Sequence, residues 1–353
     1  MQHLIPQEFF IGLPQWALLL FTVVAAAVLI KGADWLVDGA SGLAYHFGIS
    51  KIIVGATVVS LGTTSPEAAV SVLAAWSGQP GLALGNAIGS IVADSGLIFG
   101  LGCVLAVLPA DAYVLKRQGR VQVGAAFLLA AICYGSWLAM GNDAVLGRWV
   151  GALFLLLLVA YLYVSVKWSR EHPHGEPFQI HEEADVESGA RRSVGRLTVI
   201  GLAGLLLVLL ASRMMILSVA ELAEAHWHVP DVVIAATLVA LGTSLPELII
   251  GITSILKGHN ELLVGNVIGA DILNVLFVVG ASAAAAPLPL LEQGTSVPGI
   301  LFYLHLPTML LILVLFRVFI HFACKNGSFR RWYGIPLVAI YILYTILQYA
   351  ISR

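Results

Sequence analysis

Two apolar stretches of this chain repeat one another, and both carry carboxylates. Gly55–Gly100 reads GATVVSLGTTSPEAAVSVLAAWSGQPGLALGNAIGSIVADSGLIFG, and Ala235–Gly280 reads AATLVALGTSLPELIIGITSILKGHNELLVGNVIGADILNVLFVVG. They align without a gap at a single offset of 180 residues, which pairs Gly62 with Gly242, Pro66 with Pro246, Glu67 with Glu247, Asn86 with Asn266 and Gly100 with Gly280. An ionisable side chain inside a hydrocarbon layer costs several kcal/mol, so Glu67, Asp94 and Glu247 mark function by default. LGTxxPE and GNxIG matching at one offset indicates an internal duplication, with the polar centres of the two halves meeting in the middle.

Composition places the repeat in a membrane. The 353 residues are 59% hydrophobic and only 11% charged, against about 25% charged in a soluble domain. An ordinary cytosolic protein is excluded. The net charge of −2 gives no basic surface for nucleic acid. Cys103, Cys133 and Cys324 all fall in apolar segments, so neither a disulfide framework nor a CxxC metal site is expected. MQHLIPQEFF at the start lacks a basic region, so no cleaved signal peptide is expected.

Ten hydrophobic spans follow from windows of about 20 residues. The first five are Trp16–Tyr45, Ile52–Trp76, Gly81–Leu108, Val121–Met140 and Leu146–Trp168. The second five are Leu197–Ala225, Val232–Leu256, Leu262–Ala286, Ile300–Phe322 and Tyr333–Ile351. The expected fold is therefore an all-α membrane protein of ten helices. Residues 1–168 form a first five-helix repeat, 169–196 a linker and 197–353 a second repeat. The linker, rich in His and Glu, reads as a solvated loop, with weak regulatory metal binding as the sharper alternative.

Loop charge sets the orientation. With the N-terminus outside, Lys51, Lys116, Arg117, Arg120, Lys167, the linker arginines, Lys257, Arg317, Lys325, Arg330 and Arg331 fall inside, and only Arg148 and Arg353 outside. Both termini are expected outside and the linker in the cytoplasm. Five spans per half then invert one half relative to the other. Lys31 and Arg213, within spans, read as snorkelling towards an interface; pairing of Lys31 with Asp34 or Asp38 is the other reading.

The repeated motif supplies hard oxygen ligands. Pro66 and Pro246 have no N–H, which frees the carbonyls of Gly62 and Gly242 at membrane depth. Thr63, Thr64, Thr243 and Ser244 add hydroxyls, and Glu67 and Glu247 add charge. Such a donor set suits Ca²⁺ or Na⁺ and not zinc or copper. Ser90 and Asp94 share a helix face, four residues apart. Their counterparts are Ala270 and Asn274, so the two halves contribute unequally. Asn86 and Asn266 either crosslink helices or reach an ion.

LGTTSPE…GNAIGS and LGTSLPE…GNVIGA resemble the paired alpha-repeats of the cation/calcium exchanger superfamily, nearest to its prokaryotic sodium/calcium exchanger branch. The resemblance covers nearly the whole chain. It implies a ten-helix antiporter with ions bound at mid-membrane among broken helices two, three, seven and eight. It implies that Glu67 and Glu247 bind Ca²⁺, and that Thr63, Thr64, Thr243 and Ser244 are hydroxyl and carbonyl ligands. It further implies that Ser60 and Ala240 offer backbone carbonyls, and that Ser90, Asp94 and Asn274 are ligands. Three departures stand out: Ala270 replaces a usual serine, and Ile91 and Asp271 stand where asparagine is common. Asp271 either replaces the missing oxygen as an ion ligand or points into a neighbouring helix.

The expected function is a secondary antiporter that exports Ca²⁺ against Na⁺ by alternating access. Exchange driven by H⁺ or K⁺ is the alternative. An enzyme is not expected, since no HExxH, GxSxG or nucleophile–base pair occurs in the spans. No cofactor is expected beyond the transported ions. The expected partners are Ca²⁺, Na⁺ and the lipid bilayer of the plasma (inner) membrane, with the chain a monomer. When Ca²⁺ replaces Na⁺, Asp94 is the carboxylate expected to take a proton, because its counterpart is the neutral Asn274 and its hydroxyl neighbour Ser90 faces Ala270.

Overall fold

The computed structural model describes residues 9–171, 193–226, 244–291 and 299–351. They form ten helices in chain order. The first five are α1 Gln15–Phe47, α2 Lys51–Trp76, α3 Pro80–Leu105, α4 Ala112–Asp143 and α5 Arg148–Ser169. The second five are α6 Val194–His226, α7 Leu245–Leu256, α8 Asn260–Ala285, α9 Leu301–Asn326 and α10 Arg331–Ile351. Nine of these, among the described residues, are long and apolar enough to cross a membrane; α7 is apolar but shorter. The expected seventh span, Val232–Leu256, lies partly outside the described residues, as does most of the linker.

The duplication survives as local structure. Gly78 closes the α2–α3 turn with φ +72, and Gly258, 180 positions on, closes the α7–α8 turn with φ +74. Both sit in the left-handed region that glycine adopts without a Cβ penalty. Pro80 then opens α3 in the first turn, where its missing N–H costs nothing. The expected fourth span began at Val121, yet α4 begins at Ala112. Asp111 caps it, accepting from the N–H groups of Tyr113 and Val114 at 2.8 and 3.1 Å. The added turns carry Lys116, Arg117 and Arg120, which an apolar window leaves out. Arg117 covers its own helix by stacking 3.6 Å from the centre of the Tyr113 ring.

α8 is the central element: 94% of its apolar window is buried, against 17% for α10. It packs on α2, α3, α4, α5 and α7, while α1 runs along α6 on the flank. Both contacts need residues without side chains. A Cβ on Gly269 of α8 would come within 2.5 Å of Ala56 Cα and Ser60 Oγ of α2. One on Gly39 of α1 would come within 2.6 Å of Gly201 Cα of α6. A two-residue antiparallel clasp, Val145–Leu146 on Leu288–Pro289, ties the α4–α5 turn to the segment leaving α8.

The expected break in the second helix takes another form. α2 runs on through Pro66, and its irregularity is a wide π turn upstream, at Gly55–Val59. The hydroxyls around Pro66 take up nearby carbonyls: Ser65 Oγ donates to Leu61 O at 2.6 Å and Thr63 Oγ1 to Ser60 O at 3.2 Å. These bonds hold the turn together where the proline donates nothing. Matching π turns lie at Ala93–Ile98 in α3 and Asn274–Val279 in α8, bearing Asp94 and Asn274. Wide turns of this kind recur at functional sites.

Candidate ion-binding site

Four described helices bring the predicted residues into one buried zone. α2 contributes Ser60, Thr63, Thr64 and Glu67; α3 contributes Ser90 and Asp94; Ser244 and Glu247 lie at the start of α7; Asn274 lies on α8. All of them are buried, with Glu67, Asp94, Glu247 and Asn274 each 1% exposed. Glu67 lies within Coulombic reach of both Glu247 and Asp94, and Asp94 of Glu247. Asn274 Nδ2 approaches Asp94 Oδ2 at 3.5 Å, joining the two halves across the centre.

The zone holds more oxygens than its own hydrogen bonds use. Thr64 Oγ1, Glu67 Oε2, Asp94 Oδ1, Ser244 Oγ, Glu247 Oε2 and Asn274 Oδ1 are buried and have no hydrogen-bond partner among the described residues. Buried oxygens are normally satisfied, and a carboxylate oxygen left alone in a low dielectric is costly. Among the described residues, every salt bridge lies elsewhere, on Asp34, Asp38 or Glu171. The oxygens therefore suit a cation that is not a side chain. Among the described residues, no three His, Cys, Asp or Glu side chains gather closely enough to hold a metal by themselves. A bound ion would have to combine carboxylates with hydroxyl, amide and carbonyl oxygens, as hard cations do.

Other predicted residues have different positions. Thr243 and Ala240 lie outside the described residues. Ala270 is fully buried and brings no hydroxyl. Asn86 is a crosslink: its Nδ2 donates to Ser71 Oγ at 3.0 Å and approaches Glu67 O at 3.4 Å, binding α3 to α2 just behind the glutamate. Asn266 is fully buried with neither amide atom paired. Asp271 is drawn away from the glutamates. Ser95 Oγ and Gln122 Nε2 both donate to its Oδ2, at 2.5 and 2.6 Å.

Sequence reasoning missed the polar residues that brace this zone from α4 and α5. Tyr161 on α5 places its hydroxyl 3.1 Å from Ala56 O, in the π turn of α2, and 2.8 Å from Gln118 Oε1 on α4. A signal was present: Gln118 and Gln122 on α4, and Tyr161 and Ser165 on α5, are polar pairs four residues apart, so each pair shares a helix face.

The sodium/calcium exchanger protein family matches residues 17–167 and 196–350 of this chain. Inner membrane protein YrbG of Escherichia coli K12 is 34% identical over 75% of this chain and 79% of its own length. Sodium/calcium exchanger MaX1 of Methanosarcina acetivorans is 26% identical over 94% of this chain and 98% of its own. Among solved structures, the sodium-calcium exchanger NCX_Mj soaked with Na⁺ and Sr²⁺ superposes with a TM-score of 0.75 at 27% identity, covering 94% of this chain and 98% of that one.

Proposed function

We infer the activity from one premise: the chain belongs to the sodium/calcium exchanger protein family. It is accordingly a multi-pass membrane transporter of cations and not an enzyme. We propose that it is a secondary antiporter exchanging Ca²⁺ for Na⁺. The observation that carries this reading is the cluster of buried oxygens on Thr64, Glu67, Asp94, Ser244, Glu247 and Asn274 that no group among the described residues satisfies.

In this reading Glu67 and Glu247 compensate most of the charge of Ca²⁺. Thr63, Thr64, Thr243 and Ser244, the carbonyls of Ser60 and Ala240, and Ser90, Asp94 and Asn274 complete the ligands of Ca²⁺ or of the Na⁺ ions that replace it. Neutral oxygens plus carboxylates bind either ion, so the two compete for one site. Competition for a single site is what makes exchange, and alternating access would expose that site to one side at a time.

The architecture proposed with it is ten helices in two inverted halves, residues 1–168 and 197–353, joined by a cytoplasmic linker at 169–196, with both termini outside the plasma (inner) membrane. Loop charge supports the orientation. The matched glycine turns at Gly78 and Gly258 support the equivalence of the halves. The test is Ca²⁺ flux in proteoliposomes with Na⁺, K⁺ and H⁺ gradients imposed one at a time. Flux driven by a Na⁺ gradient alone is expected; flux that follows only K⁺ or H⁺ would overturn the assignment of the driving ion.

A further inference from the structure

Asp271 is a fully buried acidic residue of the repeat that the exchange site does not use. Its surroundings are specific. Ser95 from α3 and Gln122 from α4 converge on the same carboxylate oxygen, Oδ2, at 2.5 and 2.6 Å. The other oxygen, Oδ1, is buried with no partner among the described residues, and so is Gln122 Oε1. Asp271 and Gln122 are each 1% exposed. Two donors crowd one oxygen while two acceptors on the same pair of side chains stand unsatisfied. A purely structural hydrogen-bond network would pair those acceptors.

We propose that Asp271, Gln122 and Ser95 form a second, separate binding site, for one monovalent alkali cation, beside the exchange site. Its charge fits that class of ligand. One carboxylate with neutral amide and hydroxyl oxygens balances a single positive charge, whereas a divalent ion would leave excess charge in an apolar surround. The two hydrogen bonds to Oδ2 fix the carboxylate so that Oδ1 faces the ion with Gln122 Oε1. The site is asymmetric by construction, because the position equivalent to Asp271 is Ile91, fully buried and apolar. Asp94 lies within Coulombic reach of Asp271, so a cation here also offsets repulsion between the two carboxylates. The site goes beyond the exchange reading and rests on it only in treating Ca²⁺ as the ion that clears Na⁺ from the neighbouring ligands.

The experiment uses the purified full-length protein in detergent. Equilibrium binding of radioactive Na⁺, and of Rb⁺ as a tracer for K⁺, is measured at saturating Ca²⁺, beside binding of radioactive Ca²⁺. The wild type is expected to keep one alkali ion per chain that Ca²⁺ does not displace; whether Na⁺ or Rb⁺ fills it identifies the preferred member of the class. Asp271→Asn and Gln122→Leu are expected to lose that ion while keeping Ca²⁺ binding within about tenfold, the change that Coulombic coupling of Asp271 to Asp94 allows. Asp271→Asn is nearly isosteric, and its retained Ca²⁺ binding reports that it is folded. An alkali ion held equally by Asp271→Asn, or none held by the wild type, would overturn the proposal. If the wild type fails to bind Ca²⁺, the exchange reading falls, and the difference in alkali-ion binding between the wild type and Asp271→Asn still decides this one.

Discussion

Asp94 and Asn274 occupy equivalent positions in the two halves, 180 residues apart, and their side chains meet at 3.5 Å. The charge at the centre of the molecule therefore sits on one member of a matched pair. Moving it to the other member should preserve the local charge count. Asp94→Asn is expected to keep much of the Ca²⁺ binding and lose part of the pH dependence of transport. Adding Asn274→Asp to that variant should restore Na⁺-driven flux towards the wild-type level. Flux across a pH series and Ca²⁺ titration read both effects. A double variant no better than Asp94→Asn would show that the two positions are not interchangeable.

Glu67 and Glu247 are expected to be indispensable singly. Glu67→Gln or Glu247→Gln removes a charge from a buried site whose ion has no basic competitor. A loss of roughly 3 kcal/mol, or about a hundredfold in affinity, is the scale for a buried charge pair broken on one side. Ca²⁺ uptake into proteoliposomes should be nearly abolished while the protein still inserts. Uptake at the wild-type rate in either variant removes the central assignment.

Gly269→Ala should uncouple α8 from α2. The new Cβ would lie 2.5 Å from Ala56 Cα and from the Ala56 carbonyl oxygen, backbone atoms that no side-chain rotation moves. Overpacking of this kind costs about 1–3 kcal/mol. A lower thermal midpoint together with weaker Ca²⁺ binding is expected, because α2 carries Thr63, Thr64 and Glu67. A midpoint unchanged in Gly269→Ala would mean that the helices separate freely here.

Lys257, in the turn between α7 and α8, reaches back to α1: its Nζ lies 2.5 Å from Asp38 Oδ1 and 3.6 Å from Asp34 Oδ1. These groups are partly exposed, so the pair is worth at most about 1 kcal/mol. Lys257→Ala should change the exchange rate by about fivefold at most and leave the Ca²⁺ affinity unaltered. Stopped-flow Ca²⁺ release and equilibrium binding separate the two. A loss of Ca²⁺ affinity would place Lys257 in the binding machinery instead of at its edge.

Orientation is testable by labelling. In a chain that otherwise lacks cysteine, Gln2→Cys should react with an impermeant thiol reagent from outside the cell, and Glu182→Cys should not. The reverse pattern would overturn the placement drawn from loop charge.

The sequence made the main architecture legible because a membrane leaves few options. Apolar length located the helices, and carboxylates inside them could only be functional. Glu67, Glu247 and Asp94 were singled out by that route, and Asn274 by its offset of 180 residues from Asp94. What escaped was geometry that hydropathy does not encode. The wide turn at Gly55–Val59 arises from the fit of α2 against α8, whereas Pro66 was the more visible signal. The start of α4 escaped because Lys116, Arg117 and Arg120 continue a helix beyond the apolar layer. Tyr161 and Gln118 escaped because the sequence does not say which groups they face: Ala56 O on α2 for Tyr161, and Tyr161 itself for Gln118. Asp271 had two readings, and the donors Ser95 and Gln122 on its Oδ2 come from two other helices that the sequence does not place beside it.

Glu67, Asp94 and Glu247 share their buried zone with no lysine or arginine partner among the described residues. That omission makes slippage expensive. A carrier whose ligands were already neutralised by an internal cation could turn over unladen and dissipate the gradient that drives it. On the exchange reading proposed above, an unladen passage would have to carry these carboxylates bare or protonated, at a penalty that a bound cation removes. On that reading fidelity comes from withholding an internal counter-ion, and a lysine introduced beside Glu67 would turn a tight machine into a leaky one.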